Sequence, residues 1–183
     1  MRLFVAIDLS EGLKAALAEL QARLRRAWAG TDVRWVDPAG IHLTLKFLGD
    51  VGAERVDAVI KALAQATAGV EPFELKIEGL GFFPSERRVR VVWVGVKEPT
   101  GRLARLQRQV EASLEPLGFA PEDREFVPHI TLGRLKVPAS IPGVGDLARQ
   151  QLGRMPVREI VLMESRLSPT GATYRPVTIF RLA

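Results

Sequence analysis

Ile41-His42-Leu43-Thr44-Leu45 and Pro128-His129-Ile130-Thr131-Leu132 are two runs of one pattern, with their histidines 87 positions apart. Each alternates as a half-buried strand should, so His42 and Thr44 share one face while Leu43 and Leu45 face a core. The same parity pairs His129 with Thr131 and turns Ile130 and Leu132 inward. Each strand therefore presents an imidazole and a hydroxyl about 7 Å apart along the backbone. With two histidines and 8 threonines in 183 residues, only about 0.2% of random orders would set a threonine two places after both.

The offset extends outward from these strands. The strand around Val5 falls on Val92, and the helix carrying Leu13, Leu17, Leu20 and Leu24 overlaps the one carrying Leu103, Leu106, Val110, Leu114 and Leu117. Strand 73–77 meets 160–164, and 89–96 meets 176–183. A helix through Val56, Val59, Ile60 and Leu63 falls on one expected near Val144 to Leu152. A short strand is expected at Arg34 to Val36, and a turn at Gly79-Leu80-Gly81. Identity between the halves is low, so the repeat is one of pattern. It predicts two similar lobes related by an approximate two-fold axis, each bringing one histidine strand to a shared cleft.

Composition narrows the chemistry available to that cleft. The length suits one domain, taken as residues 1–183, and 47% hydrophobic residues suffice for a packed core. There is no cysteine, so disulfides, thiol nucleophiles and thiolate-bound metals are excluded. No apolar stretch is long enough to cross a bilayer, and the first residues do not read as a signal peptide, so a cytoplasmic protein is expected. Basic residues exceed acidic ones by 26 to 21, and 20 of the 26 are arginine, whose planar fork suits phosphate. The same bias also suits a GC-rich or thermophilic source.

Two facing His–Thr pairs suit phosphodiester chemistry. One imidazole takes a proton from water while the other gives a proton to the leaving oxygen, and neutral pH lies near the histidine pKa. The threonine hydroxyls, Thr44 and Thr131, can donate to non-bridging phosphate oxygens, where charge builds in the transition state. The scheme needs neither metal nor cofactor. Two histidines 87 apart, each without a close ligand partner, also argue against a zinc site.

These residues carry a family resemblance. His42-Leu43-Thr44-Leu45 and His129-Ile130-Thr131-Leu132 resemble the paired HxTx motifs of the 2H phosphoesterase superfamily. More narrowly, the chain resembles the LigT-like RNA 2′,3′-cyclic phosphodiesterases, historically called 2′-5′ RNA ligases. Arg2 to Ile7, Leu45-Lys46-Phe47-Leu48-Gly49, Arg90-Val91-Val92-Trp93, Gly133-Arg134 and the tail from Ser168 to Tyr174 extend the match over nearly the whole chain. The resemblance implies an α+β, two-lobed fold with antiparallel-rich sheets, helices outside and the site between the lobes. It implies hydrolysis of an RNA terminal 2′,3′-cyclic phosphate to a 2′-phosphomonoester. His42 would protonate the leaving 3′ oxygen and His129 would activate water. Microscopic reversibility would allow 2′-5′ joining without ATP. The partner implied is a tRNA-like or oligonucleotide end, acted on by a monomer.

Other residues rank below the pair. Arg134 is the candidate phosphate or RNA contact, yet strict alternation places it opposite His129 unless the strand twists or bulges. Lys46 shares the His42 face and reads as a cleft-floor or solvated edge lysine. Arg87, Arg88 and Arg90 beside Phe82 and Phe83 read either as a solvated loop or as an RNA contact. Arg102, Arg105 and Arg108 read as a solvent face, and Phe126 as core. Lys76-Ile77-Glu78-Gly79 approaches an adenylating-ligase signature but reads as an ordinary strand, and no Walker A sequence is present. Two alternatives stay open: a cyclic phosphodiesterase for a small nucleotide of the ADP-ribose cyclic phosphate type, and a non-catalytic RNA-binding protein.

Overall fold

A computed structural model describes residues 1–183. The apolar run after Arg2 forms strand β1 (Arg2–Asp8), buried on both faces from Leu3 to Ile7. Ser10 then caps α1 (Glu11–Ala27) by accepting from the Leu13 N–H, and Leu13, Leu17, Leu20, Gln21 and Leu24 form its buried stripe. The chain continues through β2 (Val33–Trp35), β3 (His42–Asp50) and α2 (Val56–Thr67). Next come β4 (Phe73–Ser85), β5 (Arg88–Lys97) and α3 (Arg102–Leu114), which closes at Gly118 with φ 90°. Four strands complete the chain: β6 (His129–Ala139), β7 (Gln151–Val157), β8 (Glu159–Ser168) and β9 (Gly171–Arg181).

The architecture is α+β, with two antiparallel sheets. One has the order β3-β1-β8-β9, the other β2-β6-β5-β4-β7. Matching strand order between the sheets pairs β3 with β6, β1 with β5, and β8 with β4. The pseudo-symmetry is thus real, but neither sheet is a contiguous half of the chain. Strand β4, from the first half, lies in the second sheet, and β8, from the second half, lies in the first. Strand β9 holds an edge, whereas β5, its partner under the 87-residue offset, lies inside a sheet. The helices cross over too: α1 follows β1 but packs on β7, and α3 follows β5 but contacts β3 and α2. One apolar cluster of 37 residues joins both sheets to the helices.

Two expectations fail. The helix near Val144 to Leu152 is instead a 3₁₀ turn (Gly145–Arg149) followed by β7. Pro142, Gly143 and Gly145, the last at φ 55°, break the helical run, and Met155 and Val157 bury with period two. Pro156 is tolerated because β7 is an edge strand. Gly79-Leu80-Gly81 is not a turn but the middle of β4. Gly79, at φ 78°, is the extra residue of a bulge, because Glu78 pairs with Gly95 and Leu80 with Val94. No helix is long and apolar enough to cross a membrane.

Candidate active site

Strands β3 and β6 belong to different sheets and come into contact. The two histidine motifs begin these strands, and His42, Thr44, His129 and Thr131 are all half-buried beside fully buried Leu43, Leu45, Ile130 and Leu132. The alternation expected of both strands therefore holds across the motifs.

The imidazoles are held in the same way. The His42 Nδ1–H donates to the Gly40 carbonyl at 2.8 Å, and the His129 Nδ1–H to the Val127 carbonyl at 2.7 Å. A carbonyl only accepts, so Nδ1 must carry the proton and Nε2 is left for chemistry. Aromatic rings fix the ring planes. Phe4 lies 4.7 Å and Tyr174 5.1 Å from His42, centroid to centroid. Phe83 lies 5.1 Å and Trp93 5.8 Å from His129. Two glycines admit these rings: a Cβ at Gly40 would come 2.8 Å from Tyr174, and one at Gly81 only 2.1 Å from Trp93.

Beyond the threonines both strands bulge. In β3, Val5 pairs with Lys46 and Ala6 with Thr44, which leaves Leu45 extra. In β6, Val92 pairs with Gly133 and Trp93 with Thr131, which leaves Leu132 extra. A one-residue insertion reverses the parity of everything after it. Arg134 consequently turns to the His129 face and is exposed. Lys46 moves the other way. It is 3% exposed rather than lining the cleft, and its Nζ binds the Glu111 carboxylate and, at 2.8 Å, the Ala120 carbonyl. Lys46 thereby ties β3 to α3 and to the segment that leads into His129. Its equivalent under the repeat is Gly133, where a Cβ would meet Val33 at 2.7 Å.

Burial lowers the His42 pKa below 6.5, against the opposing effects of the Gly40 hydrogen bond and the Asp8 carboxylate. Lys14 and Arg134 lower it further by charge. Asp8 pairs directly with His42 across β1 and β3 and accepts from Lys14 at 3.0 Å. No group of three His, Asp or Glu side chains is arranged to hold a metal ion.

Arg88 and Arg90 are exposed on β5, while Arg87 lies in the β4–β5 turn. Arg102, Arg105 and Arg108 lie on a solvent face, and Phe126 packs against the core. The sequence singled out Phe83 only beside the arginine cluster, and did not single out Asp8, Lys14, Tyr174, Arg34 or Phe47 as candidate site residues. Phe47 had a signal, since the 87-residue offset sets it on Arg134; it is 63% exposed, 6.0 Å from Phe4. The others are contributed by β1, β2, β9 and a helix, and only the fold gathers them.

Comparison with known proteins identifies the family and the fold. A family model described as LigT like phosphoesterase matches residues 7–93 and again residues 94–174, recovering the internal repeat. An RNA 2′,3′-cyclic phosphodiesterase of Methanothermobacter thermautotrophicus is 39% identical over 186 residues, covering 100% of this chain and 99% of the relative. A crystal structure from Thermus thermophilus superposes with a TM-score of 0.83 at 32% identity, covering 100% of this chain and 98% of that one. Escherichia coli LigT complexed with 3′-AMP gives 0.77 at 28% identity, covering 99% and 97%.

Proposed function

Because the chain belongs to the family of LigT-like phosphoesterases, we propose that it hydrolyses the 2′,3′-cyclic phosphate at an RNA end to a 2′-phosphomonoester, without a metal. The observation that carries this reading is the pair of tethered imidazoles, each with a threonine two residues on, on strands that meet across two sheets. Water attacks phosphorus and gives its proton to the Nε2 of His129. The bond from phosphorus to the 3′ oxygen breaks, and the Nε2 proton of His42 passes to that oxygen. One water is consumed, and solvent returns the proton from His129 to His42. The family resemblance sets which histidine is the acid. Thr44, Thr131 and Arg134 stabilise the non-bridging oxygens as their charge grows.

Burial of His42 opposes its protonation in the free enzyme. An anionic phosphodiester beside the ring favours the imidazolium, so substrate binding restores the acid. With a 5′ hydroxyl in place of water, the same base and acid join the cyclic end. The 5′ oxygen attacks phosphorus and gives its proton to His129, the bond to the 3′ oxygen breaks, and His42 protonates that oxygen, leaving a 2′-5′ linkage. The site is drawn from a single chain, which supports action as a monomer. A small cyclic nucleotide is the second reading, favoured by the mononucleotide complex of the Escherichia coli relative.

An oligonucleotide ending in a 2′,3′-cyclic phosphate, incubated with EDTA and without ATP, tests the proposal. The expected product has gained one water and carries a 2′-phosphate. His42→Ala and His129→Ala should each lower kcat by about 10²–10⁴-fold. No turnover, full rates in both variants, or a requirement for divalent metal would overturn it.

A further inference from the structure

Nine ion pairs occupy cations across the molecule, yet none includes Arg34, Arg88, Arg90, Arg134 or Lys136. These five share one face of the second sheet. Arg34 of β2 pairs directly with Arg134 of β6. Like charges set opposite one another across a strand pair are destabilising. On the other side of β2, Trp35 stacks on buried Trp28 at 6.0 Å, which leaves Arg34 pointing to the cleft side. On β5, Val89 and Val92 are both fully buried; Val91 pairs with Phe83 and Val89 with Pro84, so Arg90 is the extra residue of a bulge, and Arg90 and Val91 both turn away from the core. Arg90 and Arg88 are thereby exposed on the side that carries Trp93 and, across the ladder, Thr131. Lys136 follows on β6, two residues after Arg134 and exposed like it.

The stripe begins at the chemistry. It shares strands with His129 and Thr131 and, at about 3.3 Å per residue, extends roughly 20 Å from His129 to Lys136. The facing sheet has a different character: buried Phe4, Ala6, Val161 and Met163, with Tyr174, form an apolar cluster beside His42. A cationic ribbon running on from the phosphate site is built for several phosphates in series, and a mononucleotide cannot span it. Resting on the cyclic phosphodiesterase reading above, we propose that Arg34, Arg88, Arg90 and Lys136 form a track for the sugar–phosphate backbone of single-stranded RNA upstream of the cyclic end. The track makes the enzyme selective for oligonucleotides over nucleoside cyclic phosphates.

The test compares kcat/KM for a decanucleotide ending in adenosine 2′,3′-cyclic phosphate with that for adenosine 2′,3′-cyclic phosphate itself, between 50 and 200 mM salt, roughly the range over which phosphate contacts change affinity steeply. The wild type should prefer the decanucleotide, and the preference should fall as salt rises. In the triple variant R34A/R90A/K136A the ratio of the two kcat/KM values should fall at least about tenfold, with a log–log salt slope shallower by about 2. The control R102A/R154A removes two arginines that are held in ion pairs elsewhere and should leave the ratio unchanged. An unchanged ratio in the triple variant, or an equal fall in the control, would overturn the track. A wild type that hydrolyses neither substrate would instead overturn the phosphodiesterase reading. Binding of a fluorescent decanucleotide 3′-phosphate would then test the track alone, and an affinity unchanged in the triple variant would refute it.

Discussion

Gln21 is the residue through which the bulge in β6, and with it the placement of Arg134, can be tested. It is 2% exposed on the inner stripe of α1. Its Nε2 donates to the Val36 carbonyl at 2.8 Å and to the Leu132 carbonyl at 2.9 Å. Leu132 is the extra residue of the bulge, and its carbonyl also accepts from the Val36 N–H at 2.9 Å. Gln21→Leu keeps the bulk of the side chain and removes both donors. Two hydrogen bonds contribute about 0.5–1.5 kcal/mol each, and leaving the Val36 carbonyl without the amide adds a desolvation cost of comparable size. The expected loss is about 2–4 kcal/mol, or roughly 4–16 °C in Tm for a chain of this length. Urea unfolding followed by tryptophan fluorescence measures it. Because the bulge turns Arg134 into the cleft, Q21L should also raise KM for the cyclic substrate, and Q21L/R134A should be little worse than R134A alone. A stability change under about 0.5 kcal/mol, or KM effects that simply multiply in the double variant, would refute the reasoning.

Three further outcomes follow from the same structure. The folded His42 pKa lies below that of the unfolded chain, so its contribution to stability is complete above about pH 6.5 and is lost as pH falls through the folded value. His42→Gln should therefore flatten unfolding free energy against pH on the acid side of 6.5, and an unchanged slope would remove burial of this imidazole as the cause. Lys46→Met should cost about 3–5 kcal/mol, because it strands the Glu111 carboxylate, while K46M/E111M should recover most of that loss; equal stability of the single and double variants in urea would contradict it. Gly81→Ala should cost about 1–3 kcal/mol through overpacking, since its Cβ falls 2.1 Å from Trp93. It should also lower kcat through the Trp93–His129 contact, and a variant with wild-type kcat would show that this contact does not hold the imidazole.

Local chemistry wrote much of this protein legibly. Period-two alternation set the faces of His42, Thr44, His129 and Thr131, and the 87-residue offset set their equivalence, so these four candidate residues and the strand faces they share were legible in the sequence. The offset did not reveal that β4 and β8 exchange sheets. Strand pairing depends on partners distant in the chain, and a repeat of pattern is compatible with either arrangement. Val144 to Leu152 misled because a few apolar residues at helical spacing can also close a turn and start an edge strand, and the glycines and Pro156 decide between them.

Arg134 and Lys46 mark the boundary between the two kinds of information most clearly. The sequence by itself determined that two His–Thr strands repeat, that no thiol was available and that arginine dominates the cations. Only the tertiary structure decided that Arg134 turns to the His129 face while Lys46 is buried against α3. Alternation is a property of one strand and can be read along it. A bulge depends on what the neighbouring strand, the Gln21 amide and the Glu111 carboxylate require, and those partners meet only when the chain has folded.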